Sequence, residues 1–575
     1  MFFQLFWWYS RPSEVDRRAA AALKDRLDMT KGVVGEICSL SGVPGASIGI
    51  VHNGSIVHTF NYGKSNVEAN IAMTSDTVLG IGSVTKSFIS AAMSSLVDRC
   101  EVSWETTVKQ VLPEFEQVNP FVEETLTISD ILSHRSGLAG FGDMNMAFQG
   151  DGDMLFPRKS LLNLVKRFPC QFPLRSDWSY FVWGYALAGK VIEELTGDRL
   201  HKYIKNTLLQ PLGLNATTFD PQSVDRRKFA KPYAGLSDGT AFPLLKIQAF
   251  KDTFFEASGG LYSSLNDMMR WSKAMLDAIK SKEPKESVIK DVESIISNHV
   301  PIENPSIRER SYGYGWVRTQ LPGVVGVIGD NVDLDGGVRN HPPLGSSKDQ
   351  PRLMLYHQGS TVGYYAFIAL FPKSESAVVV LTNSIAISDA ADWIARVMIK
   401  ALFDLQDDHK DYVALAKRVN TKAIKEYEVL AQNITAIRAT CTKMDLLDVS
   451  MFVGRYVSPH KPFHIDILPD PSNDAELVFR FQGLKDQTYK LRHFCQYQFE
   501  WALTHDESKR RGRYHNAELG SYVFEFEMDE GNRAISFSWA NDPLMPKHKE
   551  QFIWDNGRSK LPVDDGAQTV LGITI

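Results

Sequence analysis

Ser83 and Lys86 stand three residues apart in Gly80-Ile-Gly-Ser83-Val-Thr-Lys86, at the head of an apolar run that continues to Val97. In the first turn of a helix that spacing puts both side chains on one face. A serine hydroxyl is a weak nucleophile at its ordinary pKa, and a desolvated lysine amine within hydrogen-bond reach can take its proton. The helix N-terminus adds a positive field and free N–H groups beside any oxyanion that develops there. Acyl transfer through a covalent serine ester is the chemistry such a pair can do.

The pattern alone is common. Ser287-Val-Ile-Lys290 repeats it in a charged stretch that reads as a solvated helix. Ser83 differs in having a Gly-rich entry and an apolar helix behind it. A second nucleophile pattern, Gly235-Leu-Ser237-Asp-Gly239, needs a strand before it and a helix after it. Lys231-Pro-Tyr-Ala precedes it and Thr240-Ala-Phe-Pro follows, so a Pro-flanked loop is predicted instead of a nucleophile elbow.

The elements that must hold Ser83 can be read on either side of it. Residues 13–41 carry helical apolar spacing, and Gly42-Val-Pro-Gly45 interrupts it. Residues 46–52 read as a strand, Asn53-Gly54 as a hairpin turn and 55–60 as the return strand. Residues 83–290 are mostly helical in pattern. Strands are predicted late, at 353–356, 364–371 and 377–382, the last two joined through Pro372-Lys-Ser-Glu-Ser376. Strands at both ends with helices between them predict an α+β fold, one antiparallel sheet built from sequence-distant pieces under a helical region. Residues 414–438 read as a polar helical connector. Beyond Leu446, short alternating runs at 463–468, 475–481 and 522–528 predict a small all-β module, a barrel or sandwich. The expected boundaries are an N-terminal helical extension at 1–31, a catalytic domain at 32–410, a connector at 411–445 and an all-β C-terminal domain at 446–575.

At 575 residues the chain exceeds what one core sustains, which fits this division. With 43% hydrophobic and 23% charged residues and a formal net charge of −5, it has the composition of a globular protein without a basic footprint for nucleic acid. Five cysteines, Cys38, Cys100, Cys170, Cys441 and Cys495, are odd in number and lack CxxC spacing, so buried free thiols are expected, with neither a disulfide framework nor a zinc site. The apolar start, MFFQLFWWYS, has no basic n-region or small-residue cleavage site. No run reaches the ~18 apolar residues of a membrane span. The expectation is a soluble cytoplasmic protein with no membrane partner, in which the sequons at Asn53, Asn215 and Asn433 carry no glycan.

Several segments together resemble a known family. Gly45-Ala-Ser-Ile-Gly-Ile-Val51 with its hairpin, and Ile81-Gly-Ser-Val-Thr-Lys-Ser-Phe88, are similar to the serine β-lactamase and penicillin-binding-protein superfamily, above all its class C, esterase and D-aminopeptidase branch. Leu126-Thr-Ile-Ser-Asp-Ile-Leu-Ser-His134-Arg-Ser-Gly-Leu138 resembles that branch's tHtSGL segment, and residues 259–268 its GGLySt..Dm helix start. Tyr312-Gly-Tyr-Gly-Trp316 and His357-Gln-Gly359-Ser-Thr-Val-Gly363 resemble the strands that close its site. The matches run in order over roughly residues 32–405, about two-thirds of the chain.

The resemblance implies a β-lactamase/transpeptidase-like sheet and assigns roles. Aligning Gly184-Tyr-Ala-Leu-Ala-Gly189 with the family's GYxLLG puts Tyr180 at the tyrosine of Y-x-N, with Val182 in place of the asparagine. A phenol held as phenolate beside Ser83 and Lys86 would be a general base and return the proton to the leaving group. Read from the residues alone, Tyr180 is equally one of the core aromatics of Trp178-Ser-Tyr-Phe-Val-Trp183. The family's K-T-G becomes His357-Gln-Gly359, whose histidine is partly charged near neutrality and whose glycine lets a substrate approach the strand closely; a purely structural His357 stays open. By the same resemblance the N–H groups of Ser83 and Ser360 form an oxyanion hole. His134 is expected to pack in a helix–turn connection without a role.

The expected protein is a serine hydrolase that forms an acyl-enzyme on a small-molecule ester, amide or lactam and needs no metal or organic cofactor. Val182 and His357 weaken recognition of an acylamino carboxylate, which favours an esterase or amidase over an antibiotic-resistance β-lactamase. A biosynthetic acyltransferase with an alcohol acceptor and a non-catalytic ligand-binding protein on the same scaffold are the alternatives. The oligomeric state is open.

Overall fold

The structure, a computed structural model, describes residues 14–148, 152–281, 286–303, 306, 308–441, 448–555 and 573–574. The apolar run at the start of the chain lies outside them.

The helical spacing of residues 13–41 resolves into two helices, α1 (Glu14–Met29) and α2 (Lys31–Ser41). α2 ends at Gly42, whose φ of 71° is the left-handed conformation that closes many helices. β1 (Gly45–His52) and β2 (Ser55–Asn66) follow as the expected hairpin, with Asn53 and Gly54 both at positive φ in its turn. A short β3 (Ile71–Ala72) pairs with β2. Ser83 then leads into α3 (Thr85–Asp98), and much later α4 (Leu265–Lys280) closes the helical region. Residues 286–291 are irregular, so the second Ser-x-x-Lys pair at Ser287 and Lys290 is not helical, contrary to expectation.

The remaining strands of the sheet are β4 (Val300–Pro301), β5 (Arg310–Tyr312), β6 (Val317–Leu321), β7 (Arg352–Thr361), β8 (Tyr364–Phe371) and β9 (Ser376–Thr382). They form a nine-stranded antiparallel sheet in the order β3-β2-β1-β9-β8-β7-β6-β5-β4, so the hairpin near the start of the chain meets the last strand, with Ile48 opposite Val380. Alternate residues face opposite ways. Ile368, Leu370, Val379 and Leu381 join a core with α3 and α4, whereas Phe367, Ala369, Val378 and Val380 join a second core with α2 and α5 (Ala390–Phe403). Burial on both faces explains the unbroken apolar runs of β8 and β9.

The connector is α6 (Tyr412–Thr440), 29 residues long and tied at both ends. Asn420 donates to the Leu40 carbonyl at 3.0 Å, and Arg438 pairs with Glu500 at 2.6 Å. Cys441, just past the helix, forms a disulfide with Cys495. This corrects the expectation of free thiols: the partners lie 54 residues apart, on a helix end and a barrel strand, so no local spacing announces them. Of the three free cysteines, Cys38 is buried and Cys100 is exposed.

The all-β module is a closed eight-stranded barrel running from Gly454–Val457 to Glu550–Trp554. Closure removes the exposed edges of a sheet, and aromatic rings such as Phe479, Phe481, Trp501, Phe524 and Trp539 fill the interior. The barrel docks on the sheet-and-helix region through buried Lys461, which pairs with Asp143 at 2.8 Å and Glu550 at 2.6 Å. Among the described residues no helix is long and apolar enough to cross a membrane.

Candidate active site

Ser83 sits in a single 3-10 turn, Gly82–Val84, that runs directly into α3. Two glycines let β7 press against that turn. Gly82 has φ 48°, and a Cβ on it would lie 2.5 Å from the Ser360 nitrogen; a Cβ on Gly359 would lie 2.0 Å from the Ile81 oxygen and 3.1 Å from the Ser83 nitrogen. The backbones of Ser83 and Ser360 therefore adjoin, the arrangement a two-donor oxyanion hole requires. Gly359 is needed for backbone against backbone, and not, as expected, for a substrate against the strand.

Lys86, one turn on, is fully buried. Its Nζ lies 2.9 Å from Ser83 Oγ and donates to the Ser258 carbonyl at 2.7 Å. Both partners are neutral, and burial holds the amine well below its usual pKa of 10.5. Ser258 is also the link to Val182, because its hydroxyl donates to the Val182 carbonyl at 2.9 Å. Position 182 thus takes part through its main-chain oxygen.

Tyr180 joins this pair. Its ring centroid is 5.0 Å from Lys86 Nζ. Burial raises the phenol above 10, partly offset by a hydrogen bond with Ser83. Burial thus favours the protonated phenol over the expected phenolate. The amine is thus depressed and the phenol raised, each by burial.

His357 is not where a substrate could meet it. The ring is fully buried, and burial, followed by the Lys86 charge, lowers its pKa to about 3. A carbonyl accepts only, so Nδ1–H donates to the Gln358 carbonyl at 2.5 Å, and Nε2 accepts the Tyr312 hydroxyl at 2.8 Å. The expectation of a partly charged, substrate-facing His357 is corrected: it is a neutral wall behind Lys86.

His134, given no role from the sequence, lies against the site. Its ring centroid is 4.4 Å from that of Tyr180 and 4.6 Å from that of Tyr312. The signal was in the tHtSGL-like segment, read only as a turn.

Ser237 is placed elsewhere, in the turn between strands Tyr233–Gly235 and Ala241–Pro243. Its hydroxyl donates to Asp506 at 3.0 Å, and the same carboxylate lies 2.9 Å from His505 Nδ1. The acid stands between serine and imidazole, an order that leaves the hydroxyl without a base. Ser237 is a docking contact for the barrel.

Ser83, Tyr180 and Ser360 open into a cavity of about 1160 Å³. Phe148, Trp178, Phe250 and Phe255 line it, together with Trp501, Tyr514 and Tyr522 of the barrel module and Lys422 and Glu426 from α6. Among the described residues one trio of metal-type donors, His201, Asp252 and Glu256, comes within 4.8 Å. Arg199 pairs with Asp252, and His201 lies 3.0 Å from Glu256, so the trio is already charge-matched by protein groups.

The profile of the beta-lactamase family matches residues 33–398. Penicillin-binding protein 4 of Amycolatopsis lactamdurans is 24% identical over 343 residues, covering 59% of this chain and 81% of that protein. An unguisins hydrolase of Aspergillus campestris is 25% identical over 376 residues, 64% of this chain and 62% of the hydrolase, so the chain spans just over three-fifths of that relative. Protein flp of Staphylococcus aureus is 23% identical, with 66% of each chain covered. Among solved structures, the octameric penicillin-binding protein homologue from Pyrococcus abyssi shares the fold at a TM-score of 0.50 and 20% identity, over 94% of this chain and 100% of that one.

Proposed function

We propose that this chain, which belongs to the beta-lactamase family, is a serine hydrolase that works through an acyl-enzyme on Ser83. The observation that carries the reading is the 2.9 Å approach of a fully buried Lys86 amine, without an acidic partner among the described residues, to Ser83 Oγ. Neutral Lys86 takes the Ser83 proton as Oγ attacks the substrate carbonyl. The oxyanion forms against the Ser83 and Ser360 N–H groups. Collapse breaks the bond to the leaving group, which takes its proton from the Tyr180 hydroxyl, and Lys86 ammonium reprotonates the phenolate. Water then attacks the ester and gives its proton to Lys86; the Ser83 Oγ–acyl bond breaks, the acyl group leaves as the acid, and Lys86 returns the proton to Ser83 Oγ.

The cavity supports a bulky acyl substrate. Its volume of about 1160 Å³ exceeds the roughly 300–1,000 Å³ of sites for drug-sized ligands, and aromatic rings line much of it. Position 357 presents no charge, since the imidazole is neutral and turned to Tyr312, and Val182 offers no amide. These features disfavour an acylamino carboxylate and support an esterase or amidase over a β-lactamase. The name of the unguisins hydrolase relative makes an unguisin a further candidate substrate for this cavity. An alcohol as acyl acceptor is the second reading, because the barrel side of the cavity leaves room for one. The test is a ranking of kcat/KM for p-nitrophenyl esters, an unguisin and nitrocefin. Nitrocefin is expected last; nitrocefin first would overturn the substrate assignment.

A further inference from the structure

We infer that His134 is the positioning residue that holds Tyr180 as proton donor to the leaving group, an inference that rests on the roles proposed above for Ser83 and Tyr180.

Tyr180 needs such a residue because residues 171–181 form neither helix nor strand. His134 grips the chain on both sides of it. The His134 carbonyl accepts the Ser179 N–H at 3.0 Å, and its ring Nδ1 accepts the Phe181 N–H at 3.1 Å. One residue thereby fixes the Trp178–Ser179 and Tyr180–Phe181 peptides, while its ring packs on the Tyr180 ring at 4.4 Å. His134 reaches both sides from a left-handed backbone, φ 62°, just past the short helix Ile128–Leu132. Asp130 of that helix braces the same loop through Arg135 at 2.6 Å and Arg175 at 2.7 Å.

The geometry also sets the ring's charge. The Phe181 N–H can only donate, so Nδ1 must carry a lone pair and the proton sits on Nε2. A protonated ring would set N–H against N–H and release Phe181. Burial and the neighbouring Lys86 act in the same direction. Asparagine is the conservative replacement, because its Oδ1 takes the place of Nδ1 and it tolerates the left-handed region. Leucine keeps bulk without an acceptor, and glycine keeps the backbone conformation without a side chain.

A residue that merely stabilises the fold would affect all substrates alike, whereas one that positions a proton donor matters only when the leaving group needs protonation. The experiment compares kcat/KM, which reports acylation, for p-nitrophenyl butyrate and ethyl butyrate. The proteins are wild type, Tyr180→Phe, His134→Leu, His134→Gly, His134→Asn and the double variant His134→Leu/Tyr180→Phe. Tyr180→Phe is expected to lose about 100-fold or more on the ethyl ester and under about 10-fold on the p-nitrophenyl ester. His134→Leu and His134→Gly should reproduce that selective loss, His134→Asn should recover most of it, and the double variant should match Tyr180→Phe. Equal losses of His134→Leu and His134→Gly on both esters, or a full further loss in the double variant, would overturn the inference. If Tyr180→Phe alone shows no selectivity, the reading of Tyr180 fails and takes this one with it. If His134→Leu does not fold, His134→Gly decides the outcome.

Discussion

Lys86 Nζ reaches Ser83 Oγ at 2.9 Å from inside the protein, with a main-chain carbonyl, and not a carboxylate, as its other partner. An acid there would hold the amine charged and useless as a base. Its absence from both contacts is what the proposed role of Lys86 as base requires.

The pH dependence follows from that environment. Because the folded-state pKa of Lys86 is lowered, the neutral amine persists well below pH 10.5, and kcat/KM should rise with pH on a limb far to the acid side of that value. Tyr180, raised above 10, keeps its proton across the neutral range, so the alkaline limb falls only above pH 10. Lys86→Arg fixes a charge that does not titrate and should cost at least ~10²-fold in kcat/KM, with the fold intact by circular dichroism. An acid limb near 10.5 in the wild type would contradict the assignment of Lys86 as base.

Gly359→Ala tests the contact between β7 and the Ser83 turn. The new Cβ would meet the Ile81 oxygen at 2.0 Å, so the strand must move away from the backbone of Ser83. The expected outcome is a loss of about 1–3 kcal/mol in urea denaturation and roughly 10²-fold in kcat. The mirror change, Gly82→Ala, should behave alike, because its Cβ meets the Ser360 nitrogen at 2.5 Å. Full activity in Gly359→Ala would show that Ser360 is not an oxyanion donor.

How much of this was legible in the sequence depends on how local each signal is. Ser83 and Lys86 are three residues apart, and the hairpin turn at Asn53-Gly54 is two residues, so both could be read directly. Tyr180 was found only through its order in a familiar series, and its protonation state depends on burial that spacing cannot show. His357 was placed correctly on its strand, but its direction is set by Tyr312, 45 residues away. His134 likewise acts through Phe181, 47 residues on. The barrel was legible as alternating short strands, yet the docking that puts Tyr514 and Trp501 into the Ser83 cavity comes from contacts no local pattern encodes.

The Cys441–Cys495 disulfide makes the junction of α6 and the barrel testable. Cross-linking a 54-residue separation is worth about 2–4 kcal/mol by loop-closure reasoning. Peptide mapping without reductant should recover the two cysteines in one linked pair, and Cys441→Ser should lower the thermal midpoint while leaving kcat unchanged. Two free thiols at these positions in the purified protein would contradict the pairing.

The central claim is that Ser83 carries the acyl group. Mass spectrometry of peptides after treatment of the folded protein with a fluorophosphonate, and separately with a slowly released p-nitrophenyl ester, measures it directly. The expected result is one adduct, on the peptide containing Ser83, lost in Ser83→Ala and retained in Ser237→Ala. An adduct on Ser237, or ester turnover that survives Ser83→Ala, would contradict the account.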